Sequence, residues 1–240
     1  MRVLDKTIKS VVDENYVYAR ALHYLGIEFF ENEHKSLNEI CKERGISRQK
    51  VIKCFYEIDA NRKSSFQELS SYPIEMLLEY LRHSHYLFIK EKLPYISFLL
   101  ECHDEPSAQD LKAIFPVFVE DFIKHIYEEE DEVFKYVALL NRIESDREAN
   151  PSAALLPFWK FSLAQSKEEH DQEDAMGNLT ELTDSVDTRD LRSRVIIKEL
   201  KAFEREVSYH AEIENEIMFP KALKLESDIQ SKLRRLRRLN

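Results

Sequence analysis

A histidine and a glutamate interrupt the apolar face of a long predicted helix in the last third of the chain. At the alternating three- and four-residue spacing of a core-facing helix, this row is formed by Ile196, Leu200, Phe203, Val207, His210, Glu214 and Ile217. Residues four positions apart lie one turn above each other, so His210 and Glu214 point toward the same interior. Because an unpaired buried charge costs several kcal/mol, the pair needs a partner, and a metal ion is a candidate.

Composition favours long helices over a strand-and-turn architecture, since the 240 residues include only three glycines and seven prolines, and 33% are charged. A net charge of −10 argues against binding to nucleic acid or to anionic membranes. The sequence contains neither an apolar run of 18 residues nor a signal peptide. Cys41, Cys54 and Cys102 are too few and too scattered for a disulfide framework. We expect a soluble, cytoplasmic, reduced, nearly all-helical protein.

The chain divides into a small helical N-terminal domain, residues 1–65, and a larger domain, residues 66–240. Four long amphipathic segments joined by short polar connections fill the larger domain, which predicts an all-α, antiparallel four-helix bundle. The predicted helices span about Pro73–Leu100, Gln109–Ile143, Leu155–Leu179 and Arg189–Leu225.

Each of these four segments carries one histidine on its apolar row, and two of them add a glutamate one turn later. A single core histidine is usually a hydrogen-bonded core residue, but four in register with the apolar rows are hard to explain in that way. The second and fourth segments share the pattern His-x-x-x-Glu-x-x-x-x-Phe, which indicates two pseudo-equivalent half-sites. The candidate metal ligands are His85, His125, Glu129, His170, His210 and Glu214.

Imidazole and carboxylate ligands suit iron, and carboxylates that bridge two metals fit two half-sites. Structural zinc is disfavoured because six ligands exceed a closed tetrahedral set. The Glu-x-x-His pattern of ferritin-like sites is also disfavoured, since Arg82, Phe122, Lys167 and Val207 stand three residues before the histidines.

Two alternatives remain at this stage. His83 lies two residues from His85 and is an alternative first-helix ligand. Glu132 is close enough to the apolar row to accept a hydrogen bond from a ligand.

The motifs resemble those of the hemerythrin-like family. His125-x-x-x-Glu129 and His210-Ala-Glu-Ile-Glu214 are similar to its His/Glu cation-binding motifs, and Glu169-His170-Asp171 resembles its third helix. His85, ahead of Lys90-Glu-Lys-Leu-Pro94, resembles its first helix.

The most similar subfamily is the iron–sulfur cluster repair di-iron proteins (regulators of cell morphogenesis and nitric oxide signalling), which join such a bundle to a short N-terminal domain. Leu25–Phe30 and Leu37–Cys41 resemble that domain. There is one departure, because Phe29-Phe30 stands where the family usually has a Cys-Cys pair.

The resemblance implies two iron ions, bridged by carboxylates and an oxo or hydroxo group and held by the six residues named above. Oxygen-carrying hemerythrins have a further histidine where this chain has Asp174, which favours small-molecule reactivity or iron release over oxygen carriage. The implied function is protection against oxidative and nitrosative stress by repairing damaged iron–sulfur clusters, through iron donation or nitric oxide reduction.

The partners implied are oxygen or nitric oxide, iron–sulfur proteins as clients, and a second copy of the chain through the N-terminal domain. Manganese in place of iron stays open. The alternatives are a module that senses oxygen, nitric oxide or iron and signals through the N-terminal domain, and an interaction protein whose metal is structural.

Overall fold

The computed structural model describes residues 3–60, 65–145, 147, 150–172, 179, 183, 186 and 188–239. These residues are predominantly helical and form no strand, apart from one isolated bridge between Thr7 and Ser36, which confirms the predicted all-α class. Among the described helices, none combines the length and the apolar composition needed to cross a bilayer.

Thirteen α-helices and three π-helical turns are assigned within the described residues. The α-helices are α1 Ile8–Glu14, α2 Val17–Tyr24, α3 Leu37–Glu43, α4 Arg48–Ala60, α5 Phe66–Ser71, α6 Ile74–Leu87, α7 Leu93–Glu101, α8 Gln109–Glu129, α9 Lys135–Glu144, α10 Pro151–Ala154, α11 Leu163–Gln172, α12 Leu191–Ile213 and α13 Phe219–Leu239. The π turns are Phe88–Lys92, Glu130–Phe134 and Glu214–Met218, called here the first, second and third π turn.

The chain forms two compact units, each built from several stretches of sequence. Unit 1 comprises Met1–Lys63, Pro94–Pro116 and Asn178–Glu204, and unit 2 comprises Ser64–Leu93, Val117–Gly177 and Arg205–Asn240. The division into residues 1–65 and 66–240 stays a prediction.

In unit 1, the sequence around α3 explains where that helix begins and ends. Ser36 accepts a hydrogen bond from the backbone N–H of Glu39, whose side chain in turn accepts one from the backbone N–H of Ser36. Gly45 follows the helix with a φ of +66°, a conformation that costs glycine little. Phe29 is fully buried, and burial raises the pKa of the Cys41 thiol. These positions serve packing.

In unit 2, α6, α9, α11 and α13 carry the core. Helix α9 contacts both α6 and α13, α13 also contacts α11, and the third π turn contacts α6 and α11. The buried core side chains include Leu77, Leu78, Leu81, Val133, Phe134, Val137, Leu140, Leu163, Ile213, Ile217, Phe219 and Ala222. Of the row predicted for the fourth helix, Ile217 belongs to this core, whereas Ile196, Leu200 and Phe203 lie in unit 1.

The third predicted helix begins later than expected. A 3₁₀ turn occupies Leu156–Phe158, and α11 starts at Leu163, where Ser162 accepts a hydrogen bond from the backbone N–H of Gln165. The apolar spacing predicts that Trp159 faces inward together with Leu163 and His170, but Trp159 is 75% exposed, so that prediction is wrong. The segment 173–178, which includes Glu173, Asp174 and Gly177, lies outside the described residues.

The fourth predicted helix ends later than expected. It corresponds to α12, the third π turn and α13, and α13 continues to Leu239 rather than ending near Leu225. The basic residues of this stretch include no helix breaker, so the amphipathic pattern extends the helix.

Candidate metal centre

Four of the predicted ligands form a compact buried cluster in unit 2. His85 comes from α6, Glu129 from the end of α8, His210 from α12, and Glu214 from the start of the third π turn. Each side chain offers one ligand atom, and these atoms all lie within 4.8 Å of one another. All four residues are buried, with Glu214 only 1% exposed. The donor set, two imidazoles and two carboxylates, can hold a metal ion.

The other two predicted ligands lie at one side of this cluster and are only half-buried. His170, on α11, places its Nε2 3.0 Å from Glu214 Oε2 and 3.9 Å from Glu129 Oε1. His125, on α8, has its ring centroid 6.1 Å from that of His170. The two glutamates thus lie between the buried imidazoles and the half-buried ones.

All six side chains line one cavity of about 40 Å³. A water molecule needs roughly 10–15 Å³ on this measure, so the space admits on the order of three water-sized groups. Apolar side chains complete the wall and keep bulk water away from the carboxylates. They are Phe88, Phe122, Ile126, Val207 and Ala211.

Several buried donor and acceptor atoms of the cluster have no hydrogen-bond partner among the described residues. They are Glu129 Oε1, Glu214 Oε1, His210 Nδ1 and His210 Nε2. His210 Nε2 does lie 2.9 Å from Glu214 Oε1, but the angles are not those of a hydrogen bond. Buried polar atoms are rarely left in this way, so the donor set fits a cation that would coordinate to them.

Two hydrogen bonds set the orientation of two of the histidines. His85 Nδ1 donates to Glu130 Oε1 over 2.9 Å, and His170 Nδ1 donates to Asn215 Oδ1 over 3.0 Å. With one proton held on Nδ1, each ring can offer its Nε2 lone pair to a metal ion that displaces the proton on Nε2. This arrangement, a ligand histidine held by an outer acceptor, is the usual one at metal sites. The predicted outer acceptor, Glu132, is instead exposed, so that prediction is wrong.

A π turn directly follows each of α6, α8 and α12. The second begins immediately after Glu129 and the third at Glu214 itself. In a π turn, the residue five positions after the glutamate lies above it on the same face of the helix. Phe134 and Phe219 of the repeated motif stand at this spacing. The ring of Phe134 stacks on His85 at 5.4 Å, and that of Phe219 lies 5.7 Å from His170. The x-x-x-x spacing between Glu and Phe was the sequence signal for these turns.

The ionisable groups of the cluster shift one another strongly. Burial raises the pKa of Glu129, and the charge of Glu214 raises it further. Burial acts on Glu214 in the same direction, but His210 and His170 outweigh it and hold the pKa of Glu214 well below its usual value. Burial lowers the pKa of His170, yet the bond to Glu214 outweighs it and raises that pKa to about 9. Protons and a metal ion therefore compete for the same positions between imidazoles and carboxylates.

The alternative first-helix ligand does not reach the cavity. His83 is exposed and its ring stacks on Tyr86 at 6.4 Å, while His85, two residues later, is 2% exposed. The helical phase of α6 separates the two histidines onto different faces.

No protein-family model matches the chain, and no curated protein matches its sequence. The resemblance to the hemerythrin-like family stays a prediction from the motifs.

Proposed function

We propose that unit 2 is an antiparallel four-helix bundle that binds two iron ions between its helices, as four-helix bundles bind metals elsewhere. The observation that supports this most is the set of buried oxygen and nitrogen atoms on Glu129, Glu214 and His210 that have no hydrogen-bond partner among the described residues. Four histidines from α6, α8, α11 and α12 surround these carboxylates. A carboxylate shared between two ions would explain why each glutamate lies near more than one imidazole.

The six residues would hold the ions, with the two glutamates between them. Bound iron would supply redox chemistry and Lewis acidity. The chain would supply the rest: Glu130 and Asn215 orient two imidazoles, and the apolar wall excludes bulk water. Two carboxylates balance only half the charge of two divalent ions, so the centre favours a small anionic or electron-rich ligand.

The small cavity restricts what reaches the centre. The cavity of about 40 Å³ would be shared by the ions and any ligand, so it excludes organic substrates and leaves room only for a small molecule such as nitric oxide or oxygen. His125 and His170 are less buried than the other four ligands, so an ion beside them would be the nearer to solvent. Both features agree with the function implied by the motifs, which is protection against oxidative and nitrosative stress by repair of damaged iron–sulfur clusters. Iron–sulfur proteins are the clients of this proposal.

Metal content and the optical spectrum test the proposal directly. The full chain, loaded with Fe²⁺ without oxygen and then oxidised, should contain about two irons, with near-ultraviolet absorption bands typical of a bridged ferric pair. The variant His125→Ala/His210→Ala should lose both. The matched control is His83→Ala, which removes an exposed histidine close to a ligand and should change neither. A wild-type chain that cannot be loaded with iron would contradict the proposal.

Iron transfer tests the biological role. The loaded protein is mixed with an iron–sulfur protein whose cluster nitric oxide has destroyed, with sulfide and a reductant present. Recovery of the cluster spectrum with wild type, and not with His125→Ala/His210→Ala, is the expected result. Iron that stays bound to the wild type while nitric oxide is consumed would replace donation with nitric oxide reduction.

A further inference from the structure

The two halves of the cluster correspond to each other residue by residue. His85 pairs with His170, Glu129 with Glu214, Glu130 with Asn215, and Phe134 with Phe219, each at one constant offset along the chain. The structure preserves this correspondence. The histidine and its outer acceptor are 45 residues apart in both halves, with N–O distances of 2.9 and 3.0 Å. Within this repeat, chemical differences between paired residues are informative.

The outer acceptors are one such difference. His85 donates to the carboxylate of Glu130, whereas His170 donates to the neutral amide oxygen of Asn215. A charge-assisted hydrogen bond is roughly twice as strong as a neutral one. A carboxylate also makes the imidazole a more basic ligand, which strengthens its bond to a metal.

Burial differs in the same direction. The side chain of His85 is 3% exposed and that of His170 is 11% exposed, and His85 belongs to the compact four-residue cluster, whereas His170 and His125 do not. On the His85 side the ligand imidazole itself is shielded from water, although its outer acceptor Glu130 is 31% exposed. An ion held on the half-buried side has water close to its ligands.

We propose that the two ion positions are unequal: the ion on the His85 side, supported by Glu130, is held tightly, and the ion on the His170 side, supported by Asn215, leaves first. This inference rests on the proposed two-ion centre and refines it. One ion is then the one available for transfer, and the other keeps the cluster organised for reloading. Glu130 and Asn215 are positioning residues, since they act on the metal through His85 and His170.

Release kinetics test the inference with matched variants. The full chain is loaded with Fe²⁺, and release to an excess of a coloured ferrous chelator is followed by absorbance. The wild type should release iron in two phases of equal amplitude. Asn215→Asp should slow the fast phase by about 10–100-fold, and Glu130→Gln should accelerate the slow phase by a similar factor, because loss of an outer partner typically changes metal affinity by that amount. Each variant should leave the other phase unchanged.

These variants separate charge from structure. Glu130→Gln and Asn215→Asp keep an acceptor oxygen at the same place, so a merely structural role would change neither rate. The ring N–H proton resonances of His85 and His170 in the metal-free variants check that both hydrogen bonds persist.

Release of two ions in one phase by the wild type would overturn the inference and leave the two-ion centre standing. So would variants that change the same phase, or no phase. A wild type that binds no iron would overturn both.

Discussion

Two buried histidines, one in each unit, show opposite ways of satisfying an imidazole. In unit 1, His103 is 3% exposed and its Nε2 lies 3.0 Å from the hydroxyl of Ser193, which in turn donates to Asp190. In unit 2, His210 is 7% exposed, yet neither of its ring nitrogens has a hydrogen-bond partner among the described residues. The two histidines are similarly buried, but only the ring of His103 is hydrogen-bonded by another side chain of the described residues.

The residues around each histidine explain this difference. Asp190 precedes α12 and accepts hydrogen bonds from both the backbone N–H and the hydroxyl of Ser193, as a helix N-cap does, so His103 joins a closed network. His210 faces Glu214, another buried group with an unpartnered oxygen. Ser, His and Asp thus form a structural cap in unit 1, whereas the cluster in unit 2 is open to an added cation. A buried histidine indicates a site when its neighbours leave it unsatisfied.

The largest expected effect separates these two histidines by metal content. His210→Ala removes a ligand from the compact cluster, so iron affinity should fall by more than the roughly 10–100-fold that loss of an outer partner costs. His103→Ala should bind as much iron as the wild type. Equilibrium dialysis against Fe²⁺ without oxygen, with metal analysis, measures both. Equal iron content in the two variants would erase the distinction between the histidines.

Stability should respond to metal in the same selective way. At iron concentrations of 100 to 1,000 times the dissociation constant, each ion bound only by the folded state raises the free energy of unfolding by about 2.7–4.1 kcal/mol. The wild type and His103→Ala should both gain this amount, seen as a higher midpoint in anaerobic calorimetry. His210→Ala should gain almost none. A shift of the same size in His210→Ala would place the bound iron elsewhere.

The helical rows carried most of the information about this site. His85, His125, His170 and His210 were identified by register on apolar faces, and the structure places all four around one cavity. Repetition was the decisive signal, because a single histidine such as His103 follows no comparable pattern.

The apolar periodicity of the sequence did not predict where the helices depart from the α-helical turn. The π turn after Glu129 shifts the residues that follow it, and Glu132 faces solvent, while Glu130, at the start of the turn, is the residue that reaches His85. The start of α11 was missed for a related reason. Apolar spacing continued through Trp159, but Pro157 and the cap at Ser162 were the local signals that a new helix begins later.

A smaller effect tests the closed network of unit 1. Ser193→Ala removes the hydroxyl and leaves His103 Nε2 in the same position as the nitrogens of His210, buried and without that partner. The free energy of unfolding should fall by about 1–3 kcal/mol, the usual cost of a buried unsatisfied group. Urea denaturation of the metal-free protein measures it, and iron content should stay at the wild-type value. Unchanged stability would mean that His103 does not depend on Ser193.

The smallest effect concerns the charge of the cap. Burial raises the pKa of Asp190, but hydrogen bonds from Ser193 outweigh it and lower the pKa below its usual value. The folded state therefore prefers the carboxylate. Its stabilising contribution is present above the unfolded pKa, about 3.9, and is lost as the pH falls through the lower folded pKa.

Asparagine caps helices about as well as aspartate and does not titrate in this range. At pH 7, the free energy of unfolding of Asp190→Asn should match that of the wild type within a few tenths of a kcal/mol. Between about pH 4 and pH 2, the variant should lose less stability than the wild type. Urea midpoints of the metal-free protein across this range measure the difference. A parallel loss of stability in both proteins would show that the carboxylate charge contributes nothing to the network. The stability of the network would then come from its neutral groups. Burial would be the one property that it shares with the cluster of unit 2.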